Sequence, residues 1–388
     1  MRKVCFFTST RADFGIMSRL MHRVNDSSEC ELQIIATNMH LSPEYGLTFR
    51  EIESEGFHIN KKVEMMLSSD TRNGIVKSMG VALLGFADAL EDLKPDIAVI
   101  LGDRYEMLAA AESCLIYKIP VAHIGGGDIT EGAFDDSIRH SITKESHLHF
   151  TSNEISRKRI IQMGEQPDRV FNFGGLANDN IHSEPIMSKE DLEESLAFKL
   201  DKPFLLTTFH PVTMEENSAE RQINSLLSVL ENYLADYKII FTLPNSDADS
   251  RVIADKIKNF VSKYPNECYS VVSLGKHRYY ASLKYCVAVV GNSSSGIFEA
   301  PSFHVPTLNI GDRQKGRLRG ESVIDVEANY EDIKNGLTQA LSDDFRQFVN
   351  TVQSPFDKPK TMEKIFDVIA HYPLKGIVEK SFYYLTRI

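Results

Sequence analysis

Carboxylates and bases that could move protons are concentrated in two places in the first half of the chain. Asp103 and Arg104 directly follow the apolar run DIAVILG, where a charged side chain needs a partner or a function. The second place is HIGGGDITEGAFDDSIRHSITK, residues 123–144, in which three consecutive glycines let the backbone approach a ligand closely. Carboxylates that are desolvated near an anion can have a raised pKa, which suits general acid–base catalysis. The ionisable candidates of this segment are Asp128, Glu131, Asp135, Asp136, Arg139 and His140.

A structural role is the alternative for part of this second set. Asp135 and Arg139 are four residues apart in a segment where a helix is expected to begin near Asp136. These side chains would then only cap the helix and form an i,i+4 ion pair. This alternative fits Asp136 better than Asp135. His40, in TNMHLSPEYG, is also interpreted as structural.

The stretch VAVVGNSSSGIFEAP, residues 287–301, is typical of an anion site. Ser293 or Ser294 would cap a helix that starts near Ser295, which leaves backbone N–H groups for a phosphate. Glu299 lies one turn later, where its carboxylate could accept hydrogen bonds from sugar hydroxyls. A capped helix with a solvated glutamate is the structural alternative. Anion binding is favoured because the following loop, GDRQKGRLRG, carries four cations in an acidic protein, namely Arg313, Lys315, Arg317 and Arg319.

Other strand ends carry candidate phosphate contacts. His210 follows the strand of TTFHPVT, with a structural role as an equal alternative, and Asn245 follows FTLP. Arg11 lies in TSTRADFG, which resembles a short phosphate loop without the Walker glycines. The sequence supports neither a zinc site nor a serine hydrolase, because metal-ligand spacing and G-x-S-x-G are both absent from it.

Alternating strands and helices must position these residues. The runs KVCFFT, ELQIIAT, DIAVILG, PVAHIG and HLHFTS predict buried parallel strands of one sheet, and FLLTTF, KIIFTL, CYSVVSL, VAVVG and TLNIG predict those of a second. Segments with apolar residues at helical spacing lie between these strands, as in YEMLAAAESCLIYK. We therefore predict an α/β fold of two Rossmann-like, doubly wound domains that face a cleft, with ligands beyond the carboxyl ends of the strands.

The predicted domains follow from these two blocks of strands. Residues 1–180 would form the N-terminal domain with the acid–base residues, and residues 181–360 the C-terminal domain with the anion site. The polar stretch HSEPIMSKEDLEESLAFKLDKP is interpreted as the crossover. Residues 361–388 are predicted to be C-terminal helices that pack back on the first domain.

The composition argues against several classes of partner. The formal net charge of −11, without a dominant basic tract, makes general nucleic-acid binding unexpected. The five cysteines form no C-x-x-C pair and are interpreted as buried free thiols in a reducing cytoplasm. The first apolar run is too short for a signal peptide or a membrane span, so we expect a cytoplasmic protein without membrane contact.

Six motifs, taken together, resemble the hydrolysing UDP-N-acetylglucosamine 2-epimerases of bacterial sialic acid synthesis. They occur in the family's order between Lys3 and the region beyond Val326: STRADFG, LGDRYE, HIGGGDITEGAFDDSIRHSITK, FHPVT, GNSSSGIFEAP and IGDRQKGRLRG. The resemblance implies a GT-B-like fold with the UDP-sugar in the cleft. It also implies hydrolysis of UDP-N-acetylglucosamine to N-acetylmannosamine and UDP without a metal or redox cofactor. We expect a homodimer or a homotetramer.

The resemblance also assigns roles by motif. It implies catalytic roles for Asp103, Asp135 and Arg139, and His210 would stabilise the charge of the departing diphosphate. The glutamate of the family's frequent HIEGG motif falls at Gly125, and a serine that often follows RAD is replaced by Gly15. Asp128 or Glu131 is the candidate substitute for the missing glutamate. The implied nucleotide or phosphate contacts are Arg11, Arg104, His210, Asn245, Ser293, Ser294, Ser295, Glu299 and Arg313.

The implied chemistry is an anti elimination followed by hydration. A base removes the C2 proton while the C1–O bond to UDP breaks, which gives 2-acetamidoglucal; water then adds at C1 and a proton returns to the other face of C2. UDP-N-acetylglucosamine is placed first as substrate. The alternatives are UDP-N,N′-diacetylbacillosamine on the way to legionaminic acid, a non-hydrolysing epimerase, a GT-B glycosyltransferase and a nucleotide-sugar sensor. The carboxylate cluster argues against the last two, since neither needs a proton shuttle at C2.

Overall fold

Two units, each built on a parallel sheet, make up the described chain. The computed structural model describes residues 1–67, 69, 71–131, 133–212, 218–245, 247 and 249–385. By its contacts the chain divides into a first unit, Met1–Asp128, Asp135–Asn180 and Lys358–Ile388, and a second unit, Ile129–Phe134 and Ile181–Asp357. The predicted class of two doubly wound α/β domains is confirmed. Gly132 and Thr213, which belong to two of the motifs, lie outside the described residues.

The first unit is organised around a central strand, β1. Its described strands are β1 (Arg2–Thr8), β2 (Cys30–Thr37), β3 (Lys61–Val63), β4 (Ile97–Leu101), β5 (Val121–Ile124), β6 (Leu148–Thr151) and β7 (Val170–Asn172). Their order in the sheet is β3-β2-β1-β4-β5-β6-β7. Residues 4–7 of β1 are fully buried, because a central parallel strand is covered on both faces.

Helices connect these strands. They are α1 (Arg11–Asn25), α2 (Phe49–Ser54), α3 (Arg72–Leu93), α4 (Tyr105–Ile116), α5 (Asp135–Glu145), α6 (Glu154–Gln162) and α7 (Leu176–Ser183). Side chains of the preceding residue cap α1, α3 and α6. Thr10 caps α1 in a reciprocal capping box with Asp13, directly after β1. His40 is fully buried and bonded to Thr8 and Thr48, as its structural interpretation predicts.

The second unit is also a parallel sheet with helices between its strands. Its described strands are β8 (Phe204–Thr208), β9 (Lys238–Thr242), β10 (Cys268–Val271), β11 (Ala288–Gly291), β12 (Thr307–Ile310) and β13 (Val323–Val326), in the order β10-β9-β8-β11-β12-β13. Its helices are α8 (Lys189–Leu196), α9 (Ala219–Glu231), α10 (Ser250–Lys263), α11 (Gly275–Tyr285), α12 (Ser294–Phe298), α13 (Tyr330–Leu341) and α14 (Asp343–Val349). The stretch interpreted as a crossover contains α8, whose Leu192 and Leu196 are buried in the core of this unit.

The last helix, α15 (Thr361–His371), returns to the first unit. Ile365 and Ile369 of α15 are buried in the same hydrophobic core as Val4 and Phe6 of β1. Full burial of such a side chain contributes about 1.5–3 kcal/mol. In the described part of the chain that follows α15, residues 373–385 are not helical.

The five cysteines are buried and free of disulfides, which confirms their interpretation as buried free thiols. Among the described residues, no helix combines the length and apolar character needed to cross a bilayer.

Candidate active site

Polar segments leave the neighbouring strands β4 and β5 at one edge of the first sheet. Leu101 pairs with Ile124, so the segments that begin with Gly102 and Gly125 start side by side. His123 joins them, because its Nε2–H donates to the Gly102 carbonyl over 2.8 Å. Burial lowers the pKa of His123 to about 4, so the neutral ring holds this loop in place. This role of His123 was not predicted, although a histidine within an apolar strand signals a buried hydrogen bond.

The predicted catalytic residues Asp103 and Arg139 form an ion pair. Arg139 projects from α5 and is 1% exposed, and its Nε donates to Asp103 Oδ2 over 2.9 Å. Its Nη2 contacts the same oxygen, and its Nη1 donates to the Asp128 carbonyl over 3.0 Å and to Asp136 Oδ1 over 3.3 Å. Burial lowers the pKa of Arg139, but the surrounding carboxylates outweigh burial and raise it above its ordinary value. The Asp103 side chain is 24% exposed, so its carboxylate remains accessible.

The other candidate carboxylates have different surroundings. Asp135 is the first residue of α5 and is partly buried. Asp128 is buried, and its Oδ1 accepts from the Ser156 hydroxyl and, over 3.3 Å, from the Asn153 amide at the start of α6. Glu131 is exposed and belongs to the second unit. Substitution of Asp128 or Glu131 for the missing family glutamate stays a prediction.

Two predicted phosphate contacts are held by carboxylates of the first unit. Arg11 begins α1, and its Nη1 lies 3.2 Å from Glu51 Oε1. Arg104 directly precedes α4, and its Nε donates to Glu106 Oε1 over 2.6 Å. Glu106 is fully buried and therefore orients Arg104. Glu106 was not among the predicted residues, although an acid in the mostly apolar YEMLAAAESCLI was a visible signal.

In the second unit, Asn292 joins three loops that follow strands. Its Nδ2 donates to the His210 carbonyl over 2.9 Å, and its Oδ1 accepts from the His210 N–H over 2.7 Å. Its own carbonyl accepts from Arg313 Nη1 over 3.3 Å and from Gln314 Nε2 over 2.9 Å. The fully buried Asn292, which sequence analysis left without a role, therefore brings His210 and Arg313 to the serine turn.

A glycine makes this junction possible. Gly291 has a φ of +132°, and a Cβ at this position would lie 1.9 Å from the Thr208 carbonyl oxygen. Only glycine lets the ends of β11 and β8 approach so closely. The Asn245 N–H donates to Nδ1 of His210 over 3.4 Å, which leaves Nε2 of the ring to face a ligand.

The serine turn is capped as predicted. The Ser293 hydroxyl accepts from the Ser295 N–H over 3.4 Å, and Ser294 is the first residue of α12. The Tyr279 hydroxyl donates to Ser295 Oγ over 2.6 Å, and Ser295 in turn hydrogen-bonds Glu299. Burial raises the pKa of Glu299 to about 7, although the hydrogen bond with Ser295 lowers it. Burial and the Glu299 charge also raise the pKa of Tyr279. Tyr279 therefore helps to orient Glu299, a role that sequence analysis missed.

The basic loop divides into two pairs of cations. Arg313 contacts the Asn292 carbonyl, and the Arg317 guanidinium lies 4.9 Å from the centre of an aromatic ring in α12. Arg313 and Arg317 thus contact residues beside the serine turn, and the expectation that all four cations serve it stays a prediction. Lys315 and Arg319 line a cavity of about 540 Å³ and pair with two acids of that cavity, Asp312 and Asp325.

The raised pKa of Glu299 predicts a pH-dependent effect of Glu299→Gln on stability. The folded-state pKa of about 7 lies above the ordinary 4.5, so the unfolded chain loses this proton at a lower pH than the folded protein. The free energy of unfolding therefore falls as pH rises from 4.5 through 7. Removing the ionisation should raise the free energy of unfolding at pH 8 by about 3 kcal/mol and leave it unchanged at pH 4. Urea denaturation at both pH values measures this, and equal changes at pH 4 and pH 8 would contradict the burial of the charge.

Two doubly wound α/β units with polar residues beyond their strand ends define a GT-B-like protein. The chain belongs to the UDP-N-acetylglucosamine 2-epimerase family, since the sequence profile described by that name matches residues 22–370. The 2-epimerase family predicted from the motifs is thereby confirmed, whereas the narrower prediction of a hydrolysing enzyme of sialic acid synthesis stays a prediction. Within the described residues, no cluster of three or more His, Cys, Asp or Glu side chains could hold a metal ion.

Three similar proteins illustrate this membership. The chain is 46% identical to a GDP/UDP-N,N′-diacetylbacillosamine 2-epimerase (hydrolyzing) of Campylobacter jejuni, over 89% of each chain. It is 37% identical to the polysialic acid biosynthesis protein P7 of Escherichia coli, over 96% of this chain and 94% of that protein. The crystal structure of the Neisseria meningitidis UDP-GlcNAc 2-epimerase bound to UDP-GlcNAc has a TM-score of 0.78 at 17% identity, and covers 95% of this chain and 99% of that one. This last likeness shows the fold.

Proposed function

We propose that the protein is a hydrolysing 2-epimerase of a UDP-linked 2-acetamido sugar, which releases UDP and a free sugar inverted at C2. The observation that carries this proposal is the ion pair of Asp103 with the buried Arg139, beyond the carboxyl end of β4. Sequence similarity to a relative whose name includes "hydrolyzing" supports water, rather than UDP, as the second reactant.

The proposal assigns the sugar chemistry to the first unit. Arg139 keeps Asp103 in the charged form that a general base needs, and the exposed part of Asp103 leaves the carboxylate available to the C2 proton. Asp135 is the second carboxylate and would return a proton to the opposite face. In the elimination, Asp103 takes the C2 proton and the departing UDP takes the electron pair of the C1–O bond. In the hydration, water adds its hydroxyl at C1, a protonated Asp135 gives its proton to C2, and the proton that the water loses returns to a carboxylate of the site.

The proposal assigns the leaving group to the second unit. Arg313, His210 and the N–H groups at the serine turn are held together through Asn292, and they would stabilise the charge that develops on the diphosphate. The Glu299 carboxylate would accept hydrogen bonds from the ribose hydroxyls. These groups are fixed before the reaction, which is what electrostatic stabilisation of a leaving group requires.

The relatives favour the diacetamido sugar over the sugar placed first by the sequence analysis. The 46% identical relative is named for N,N′-diacetylbacillosamine, whereas the relative named for polysialic acid is 37% identical. We therefore propose UDP-N,N′-diacetylbacillosamine as the first substrate and UDP-N-acetylglucosamine as the second. The relative's name includes GDP as well as UDP, so the GDP-linked sugar belongs in the same assay.

Turnover in deuterated water is expected to place one deuterium at C2 of a free, manno-configured sugar. The label follows because the C2 proton leaves to Asp103 and a solvent deuteron returns. NMR of the purified protein with each nucleotide sugar measures both the label and the released product. Release of UDP without label at C2 would indicate a hydrolase or transferase, and label in a product still bound to UDP would indicate a non-hydrolysing epimerase.

Gly125 is expected to discriminate between the two sugars. A Cβ at this position would meet no atom closer than the Gly102 nitrogen at 4.0 Å, and the φ of +83° strains any larger residue. Gly125→Ala should therefore lower kcat/KM equally for both substrates. If the open volume accommodates the C4 acetamido group, Gly125→Glu should lower kcat/KM for the diacetamido sugar much further than for UDP-N-acetylglucosamine. Equal losses in the glutamate variant would show that only the backbone matters.

A further inference from the structure

The C-terminal strap, residues 373–385, is tied to the first unit by several backbone contacts. Arg169 Nη1 donates to the Ile377 carbonyl over 3.0 Å, and Gln166 Nε2 donates to Ser381 Oγ over 2.9 Å. The Tyr383 N–H donates to the Gly164 carbonyl over 2.8 Å. The strap is therefore a docked element of this unit.

One side chain of the strap caps a helix that is distant in sequence. The Lys380 ammonium donates to the Lys144 carbonyl over 2.7 Å and to the Ser146 carbonyl over 2.6 Å. These carbonyls lie in the last turn of α5 and just beyond it, where backbone acceptors lack partners within the helix. A cation at this position also interacts favourably with the negative end of the helix dipole. Lys380 thus supplies a C-cap from more than 200 residues away.

A buried carboxylate fixes this cap. Glu165 is 2% exposed, and it contacts Lys380 Nζ over 2.7 Å and Lys144 Nζ over 2.5 Å. His149 Nε2 lies 3.4 Å from the same carboxylate. Burial would raise the pKa of Glu165, but hydrogen bonds from these three groups outweigh burial and lower it to about 2. Glu165 is therefore ionised at any ordinary pH and holds the two lysines at the end of α5.

We propose that Lys380 is a positioning residue for the reaction, because it fixes the helix that carries Arg139 and Asp135. This inference rests on the proposed function. Arg139 and Lys144 are five residues apart on α5, about 7.5 Å along its axis, so a shift at the capped end moves the candidate catalytic residues with it. A misplacement of about 1 Å can slow a reaction about 100-fold.

The test compares Lys380→Met with Lys380→Arg, using Lys375→Met as the matched control. Methionine keeps an unbranched stem without the charge, arginine keeps charge and donors, and Lys375 is an exposed lysine of the same strap. We expect Lys380→Met to lower kcat about 10-fold to 100-fold with KM and UDP affinity unchanged. Lys380→Arg should recover most of kcat, and Lys375→Met should match the wild type.

Amide hydrogen exchange supplies a readout that needs no turnover. In Lys380→Met, exchange should accelerate at residues 142–146 and stay unchanged in the second unit. Wild-type kcat in Lys380→Met, unchanged exchange in α5, or uniformly faster exchange throughout the first unit would each overturn the positioning role. A wild-type protein that turns over none of the nucleotide sugars would instead overturn the proposed function, while exchange still decides whether Lys380 caps α5.

Discussion

Asp103→Asn is expected to lower kcat by about 1,000-fold without changing the affinity for UDP. The substitution keeps the shape of the side chain and its proximity to Arg139 but removes the basic carboxylate. Asp103 belongs to the first unit, whereas Arg313 and His210, the proposed diphosphate contacts, belong to the second, so calorimetric titration with UDP should give the wild-type Kd. Steady-state kinetics with the true substrate gives kcat.

Asp136→Asn is the matched control for this prediction. Asp136 also contacts Arg139, at 3.3 Å, so its loss equally removes one negative charge from the same guanidinium. A small effect in Asp136→Asn beside a large one in Asp103→Asn would separate proton transfer from support of Arg139. Equal effects of both variants on kcat would assign Asp103 a structural role. Loss of UDP binding in Asp103→Asn would contradict its place in the sugar chemistry.

Arg313→Ala and His210→Ala are each expected to weaken UDP binding and to lower kcat about 100-fold to 1,000-fold. Both groups meet at Asn292, beside the serine turn, and each would stabilise the charge that grows on the diphosphate as the C1–O bond breaks. Part of the stabilisation is already present when UDP is bound, so Kd and kcat should change together. Calorimetry and steady-state kinetics measure the two quantities.

Lys315→Ala is the control within the same loop. Lys315 is exposed and pairs with Asp312 at 3.6 Å, so its removal changes the net charge of the loop by the same amount as Arg313→Ala. It should leave both Kd and kcat close to wild type. A Lys315→Ala effect as large as that of Arg313→Ala would show that the overall charge of the loop, rather than the contact at Asn292, governs binding.

The central strands of both sheets could be predicted from the sequence, and three edge strands could not. Apolar runs identify β1, β8 and their neighbours because both faces of these strands are buried. The missed strands, β3, β7 and β13, are three or four residues long and pair on one side only. Such strands need no continuous apolar run, so periodicity does not reveal them.

Motifs and strand ends in the sequence were sufficient to predict the 2-epimerase family and the sheet edges at which the candidate residues lie, since polar residues that follow parallel strands must emerge at one edge. The tertiary structure alone decided their partners. Spacing along α5 could not show that Arg139 reaches Asp103, because that contact spans 36 residues. The roles of Asn292 and Lys380 likewise depend on hydrogen bonds between segments far apart in sequence, whose geometry exists only when the strands and helices are packed.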